Sequence, residues 1–437
     1  MQVLVLALIV CWSLISLLPY SPSVNAGLAI TAVIAILWIT EAIHVTLTAL
    51  FIPVLAVFTK IQTVPEAFTP FADPIIFLFL GGFALASALQ TQEIDRWLAD
   101  KILTLAKGDI KHSLLYLFIL TACLSMWVSN MATTAMMLPL AMGLVRNKNA
   151  DAGTKAFIVI GVAHSATIGG LFTMIGSPPN AIAGAAINFT FIEWITKVAP
   201  FALIFFPIVL IILKKHFKPH LDYFTTKEHI SYEWTIPRVL TVIIFLTTVT
   251  AWIFSQQLAI TFGITKGIDS IIAILSLLLL GFTQCITWKS LQSQTDWGVL
   301  LLFGGGIALS EVLSTSGANN KLIELLIAYV QGLSPFIFIL LTVTFIVFLT
   351  ELTSNTASAA LLIPIFKLLA ESLGMQADSI VLLIAIAASC GFMLPVATPP
   401  NAIAYASGWI TQKQMMSVGL KINLTAIALV AIYFFIF

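Results

Sequence analysis

The chain has 437 residues and a net charge of +1; 60% of the residues are hydrophobic and only 9% are charged. A water-soluble protein of this size cannot cover itself with so few charges, and a mean hydropathy of +1.06 makes this a polytopic membrane protein. The near-zero charge gives no attraction to nucleic acid or to a lipid surface, and Cys11, Cys123, Cys285 and Cys390 are too widely spaced for a metal motif or a disulfide framework.

Residues 1–26 are expected to form a first membrane helix (1–19) and a connector. Val24-Asn25-Ala26 resembles a cleavage site, but no basic residue precedes the apolar run, as a signal peptide requires. Further spans are expected at 27–43, 45–59, 74–90, 156–190, 198–214, 236–256, 268–285, 295–313, 376–408 and 416–437, which makes about 11. Two apolar stretches differ from these. Residues 113–145 and 335–370 carry central polar clusters, Ser129-Asn130 and Ser354-Asn355-Thr356. Two arms of about 15 residues reach about 23 Å each, short of a crossing, so each stretch reads as a re-entrant helical hairpin.

The runs 156–190 and 376–408 are interrupted at Gly176-Ser177-Pro178-Pro179-Asn180 and at Ala397-Thr398-Pro399-Pro400-Asn401. Paired prolines remove two backbone donors and force the preceding residue out of helical geometry, so both runs read as broken helices. Ser129 and Ser354 are 225 residues apart (354 − 129), and Asn180 and Asn401 are 221 apart (401 − 180). Gly81-Gly82 and Gly304-Gly305-Gly306, best read as close helix contacts, recur near the same offset. One half is thus a diverged copy of the other: repeat 1 over 27–214, a cytoplasmic linker over 215–235, and repeat 2 over 236–437.

Orientation follows from the basic residues. Arg96, Lys101, Lys107 and Lys111 precede the first hairpin and Arg146, Lys148 and Lys155 follow it, while Lys214, Lys215, Lys218 and Lys227 form the most basic loop. The positive-inside rule makes these cytoplasmic and places the N-terminus inside. Lys321, Glu324, Glu371 and Asp378 flank the second hairpin with no basic excess. The two hairpins then enter from opposite faces, which is an inverted repeat.

Inverted repeats with broken helices hold substrate and ions near the midplane, at the breaks. Here the breaks carry Ser, Thr and Asn, a ligand set for an alkali cation rather than for zinc or iron. No Lys or Arg adjoins them, and Lys367 lies about three turns beyond the second tip. An anion bound there needs its charge offset by bound cations and by helix N-termini. His164 offers a thin proton relay without a partner carboxylate, whereas Glu351, three residues before Ser354, either touches an ion or braces the hairpin. Nothing resembles a nucleophile and base pair, a metal cluster or a paired-carboxylate site, so no enzyme is expected.

The stretches SMWVSNMATTAMMLPLA (125–141), SATIGGLFTMIGSPPNAIA (165–183), FLTELTSNTASAALLIP (348–364) and ATPPNAIAYASG (397–408), with the opening WITEAIHVTLTALFIPVLAVF (38–58), resemble the divalent anion:sodium symporter family over essentially the whole chain. The resemblance implies a homodimer in the bacterial inner membrane, working by an elevator-type motion. It implies import of C4-dicarboxylates such as succinate, malate and fumarate, coupled to Na+ and with no organic cofactor. It puts one sodium on Ser125, Ser129, Asn130 and Gly176 and a second on Thr350, Thr353, Asn355 and Ala397. Substrate carboxylates would meet Asn130, Ser177, Ser354, Asn355, Thr356, Thr398 and Pro399.

Two positions depart from the family pattern. His44 stands where proline is common, away from the motifs. Met131 stands where the family has a threonine after Ser-Asn, and it cannot donate the hydrogen bond that a hydroxyl would give a carboxylate. That leaves open a dicarboxylate exchanger, or a sodium-coupled carrier of sulfate or another inorganic anion, on the same fold.

Overall fold

Every regular element among the described residues is helical, and the helix boundaries follow local capping chemistry. A computed structural model describes residues 2–107, 109–145, 150–222 and 232–436, without the side chains of residues 2, 4–6, 8, 11 and 102. Arg146, Lys148, Lys227 and the side chain of Cys11 therefore lie outside the described residues. Helix α1 covers Gln2–Leu17, and α2 covers Pro22–Thr40, starting five residues earlier than expected because Ser21 caps it and Pro22 sits at its first position. Then come α3 (Val45–Phe58), the short α4 (Val64–Phe68) and α5 (Pro74–Thr91), the last capped by Asp73.

Two pairs of helices double back at the polar clusters. After α6 (Ile94–Leu105), α7 (Ile110–Ser125) and α8 (Asn130–Gly143) meet at a turn over 126–129. Helix α9 (Ala152–Gly169) ends nine residues before α10 (Pro178–Ile187) begins, and α11 spans Phe191–Phe217. Lys214 and Lys215 lie in the last turn of α11 rather than in a loop, which corrects the expected linker boundary. Basic side chains there complement the C-terminal helix dipole.

The second half contains α12 (Ile236–Ile253), α13 (Ser255–Phe262), α14 (Ile268–Phe282), α15 (Trp288–Gln294), α16 (Trp297–Ser316) and α17 (Ala318–Val330). Then α18 (Pro335–Thr350) and α19 (Asn355–Ser372) form the second doubled-back pair. Helices α20 (Ala377–Ala388) and α21 (Pro399–Ala406) flank ten non-helical residues, 389–398, and α22 covers Gln412–Ile436.

Six helical segments among the described residues are long and apolar enough to cross a bilayer by themselves: 22–40, 64–91, 191–217, 236–253, 297–316 and 412–436. A count of 11 would have to include shorter pieces such as α3, whose 14 residues reach about 21 Å. The amphipathic α6 and α17 were not expected; their charged residues read as loops. Each follows a left-handed elbow, at Glu93 (φ 54°) and at Gly317 (φ 73°), and the axes of α17 and α18 are bent by 110°. The Glu93 elbow is tied down by Arg238, whose Nη2 lies 2.8 Å from Glu93 Oε2 and whose Nε donates to Gln92 O at 3.1 Å.

Small residues let the helices approach closely. A Cβ on Gly81 would sit 2.4 Å from the carbonyl oxygen of Ala273, so α5 and α14 touch backbone to backbone; Gly305 meets Ala49 of α3 in the same way. Gly81→Ala must therefore separate α5 from α14. We expect it to cost about 1–3 kcal/mol, as for other overpacked contacts, seen as a lower melting temperature of the purified protein.

Candidate functional site

The turns of both doubled-back pairs and both non-helical breaks meet around one cavity of about 580 Å³. Four helices begin at its wall. Their N-cap residues are Ser129 for α8, Ser177 for α10, Ser354 for α19 and Thr398 for α21, and all four line it. Ser129 accepts from Ala132 N at 3.3 Å, Ser354 from Ala357 N at 3.4 Å and Thr398 from Asn401 N at 3.3 Å, whereas the Ser177 side chain makes no cap bond. Four N-termini give the cavity a positive backbone field. The prolines at the first two positions of α10 and α21 remove their leading N–H groups, so these two supply field more than hydrogen bonds.

Among the described residues, the charged side chains that line the cavity are Glu41 and Asp296, and no Lys, Arg or His lines it. Lys367 is occupied elsewhere, donating to Ala186 O at 2.6 Å near the end of α10. Met131 is 57% exposed and faces the cavity, so this position is open to whatever enters.

Behind each tip lies a cluster of oxygen atoms. Ser125 Oγ is 2.7 Å from the Asn130 side-chain amide, and the same amide atom lies 3.2 Å from the carbonyl oxygens of Ala166 and Gly176. The amide NH2 satisfies this acceptor-rich cluster; a cation would do so with the amide turned over. Gly170 permits the approach, since a Cβ there would meet Asn130 Oδ1 at 2.4 Å. In the second half, Thr350 Oγ1 lies within hydrogen-bond distance of both the Asn355 side-chain amide and, at 2.8 Å, Ala388 O, with one proton to donate between them. The clusters correspond at offsets of 225 (Ser125 and Thr350, 350 − 125; Asn130 and Asn355, 355 − 130) and 222 (Ala166 and Ala388, 388 − 166).

The structure thus brings Ser125, Asn130 and Gly176 together, and Thr350 with Asn355, while Ser177, Thr356, Ala397, Thr398 and Pro399 line the cavity. Two expected ligands have other bonds as well. Ser129 lines the cavity while capping α8, and Thr353 bonds Leu349 O at 3.0 Å and Ser358 Oγ at 2.8 Å. The carbonyls of Ala166 and Ala388 were missed because an alanine carries no side-chain signal.

Glu351 braces the second turn. Its carboxylate accepts from Met393 N and Leu394 N at 2.9 Å each and from Asn423 Nδ2 at 2.6 Å. His164 is fully buried, its ring edge-on to Phe392 at 4.8 Å, and neither ring nitrogen has a hydrogen-bond partner among the described residues.

A helical membrane protein with broken helices around a central polar cavity is a transporter by architecture. The comparisons agree: the chain belongs to the citrate transporter family, whose model matches residues 35–387. It is 46% identical to an uncharacterized transporter of Haemophilus influenzae over 98% of this chain and 95% of that one. It is 32% identical to the sodium-dependent dicarboxylate transporter SdcS of Staphylococcus saprophyticus over 94% of this chain and 85% of that one. The fold is similar to that of the Alcanivorax borkumensis YdaH transporter, at a TM-score of 0.57 and 14% identity, covering 85% of this chain and 87% of the other. The protein is a membrane transporter and not an enzyme, as its motifs led us to expect.

Glu351→Ala would strand two half-buried N–H groups and the buried Asn423 amide. We expect about 2–5 kcal/mol of destabilisation, read as a fall in melting temperature or in the yield of folded protein.

Proposed function

We propose that this chain imports C4-dicarboxylates such as succinate, malate and fumarate together with sodium ions. The observation that carries the reading is the pair of corresponding oxygen clusters behind the two hairpin tips. They flank a cavity whose charged lining residues are both acidic. A dianion there lacks a basic partner, and desolvating it uncompensated is costly. Bound cations and four helix N-termini supply the missing charge.

On this reading one sodium uses Ser125, Asn130, Gly176 and the carbonyl of Ser129. The other uses Thr350, Asn355, Ala397 and the carbonyl of Thr353. Asn130, Ser177, Ser354, Asn355, Thr356, Thr398 and Pro399 meet the substrate. Oxygen ligands without a fixed charge hold Na+ weakly enough to release it. The relative named as a sodium-dependent dicarboxylate transporter supports both cargoes. The wider picture is 11 spans in two inverted repeats, a homodimer in the bacterial inner membrane with its N-terminus inside, and elevator-type alternating access.

The cavity wall includes Glu41 at the end of α2, Gln90 at the end of α5 and Asp296 at the start of α16. The elbow after α5 also binds Arg238, close in sequence to the basic linker. By the positive-inside rule we place this side of the cavity toward the cytoplasm.

The test is uptake of radiolabelled succinate into proteoliposomes under an inward sodium gradient, or with potassium replacing sodium. Accumulation that requires sodium is the expected result. Uptake without sodium that depends on internal dicarboxylate would replace the reading with an exchanger, and sulfate uptake without succinate uptake would replace the substrate.

Met131→Thr restores a hydroxyl facing the cavity. It should tighten succinate binding by about 1–3 kcal/mol, between roughly 5-fold and 150-fold in apparent affinity. Unchanged affinity would mean that the carboxylate does not reach this tip.

A further inference from the structure

Asn180 and Asn401 close the two Pro-Pro-Asn breaks, and the reading above gives neither a role. Both are fully buried. Asn180 Nδ2 donates to Gly170 O and Thr173 O, both at 2.8 Å; Asn401 Nδ2 donates to Gly391 O at 3.1 Å and Leu394 O at 3.0 Å. In each case the acceptors lie ten and seven residues earlier in the chain. A side chain that bonds two carbonyls with one NH2 group fixes both its own orientation and the loop it spans. Each Oδ1 is buried, with no hydrogen-bond partner among the described residues.

The loops so held are the ones that bring Gly176 and Ala397 to the cavity. An unwound loop at membrane depth presents several carbonyl oxygens, any of which can attract a cation. By occupying Gly170 O and Thr173 O, the Asn180 amide takes those two out of competition and leaves Gly176 O for the cluster with Ser125 and Asn130. Asn401 does the same for Gly391 O and Leu394 O, leaving Ala397.

We propose that Asn180 and Asn401 are positioning residues, each shaping the carbonyl set of one cation site and acting on that site alone. The proposal rests on the sodium-coupled reading. Asn180→Asp or Asn401→Asp keeps the shape but turns the donor into an acceptor facing two carbonyls, so one loop should open while the other keeps its form.

The experiment uses the full chain in proteoliposomes, with succinate as substrate. Either Asp variant should raise the sodium concentration for half-maximal uptake by about tenfold, the equivalent of about 1.4 kcal/mol, and lower the Hill coefficient for sodium. The succinate KM at saturating sodium should stay near the wild-type value. Purified Asp variants should also lose much of the sodium-over-potassium rise in melting temperature that ligand linkage gives the wild type. If an Asp variant does not accumulate, Asn180→Ser or Asn401→Ser, each retaining one donor, should show a smaller shift in the same direction. Wild-type sodium activation in a folded variant would overturn the proposal. So would equal shifts in sodium affinity and succinate KM, the mark of a general structural defect. A wild-type protein that takes up succinate without sodium would remove both the functional reading and this inference, whereas a sodium-dependent wild type with unshifted variants removes the inference alone.

Discussion

The structure depends on satisfying backbone that has left its helix inside the protein, around the cavity. Each break leaves carbonyls without the N–H groups a continuous helix would supply, and proline pairs remove further donors. The repair is local and is made twice. Asn180 ties Gly170 and Thr173, and Asn401 ties Gly391 and Leu394, at the same spacing. The same two amides therefore fix the course of the loops that line the cavity at Gly176 and Ala397.

The two halves solve a second problem differently. In the first, the Thr173 hydroxyl donates to Met126 O, joining the turn after α7 to the break with a neutral bond. In the second, Glu351 occupies the position corresponding to Met126 (351 − 126 = 225) and accepts the backbone N–H groups of Met393 and Leu394. Asn423 of α22 completes this clasp, bonding Glu351 and accepting from Phe392 N at 3.3 Å. The second tip is therefore tied to a helix outside its own hairpin and break, as well as to the break itself. Met131 against Thr356 continues the asymmetry into the cavity, where one tip offers a thioether and the other a hydroxyl.

Charge follows the same economy. The cavity wall carries two carboxylates, Glu41 and Asp296, and four helix N-termini whose backbone field has the opposite sign. Both carboxylates are exposed, so salt screens them over about 8–10 Å.

Much of this was legible in the chain itself. Composition determines a membrane protein, because so few charges cannot solvate its surface. The Pro-Pro-Asn breaks and the Ser-Asn tips locate the interruptions, because proline chemistry acts on the nearest residues and needs no partner. Helix α2 begins before its apolar run because Ser21 caps it, also a local signal. The arms α6 and α17 were not read because their charges look like loop residues until packing supplies an apolar face. Only the folded chain decided that Ser129 caps α8, that Thr353 bridges Leu349 and Ser358, and that Ala166 and Ala388 lend carbonyls to the clusters. It also decided that Glu351 grips a loop some forty residues away. These outcomes depend on which atoms lie within about 3 Å of one another across distant segments, and that distance is set by tertiary packing, not by residue type.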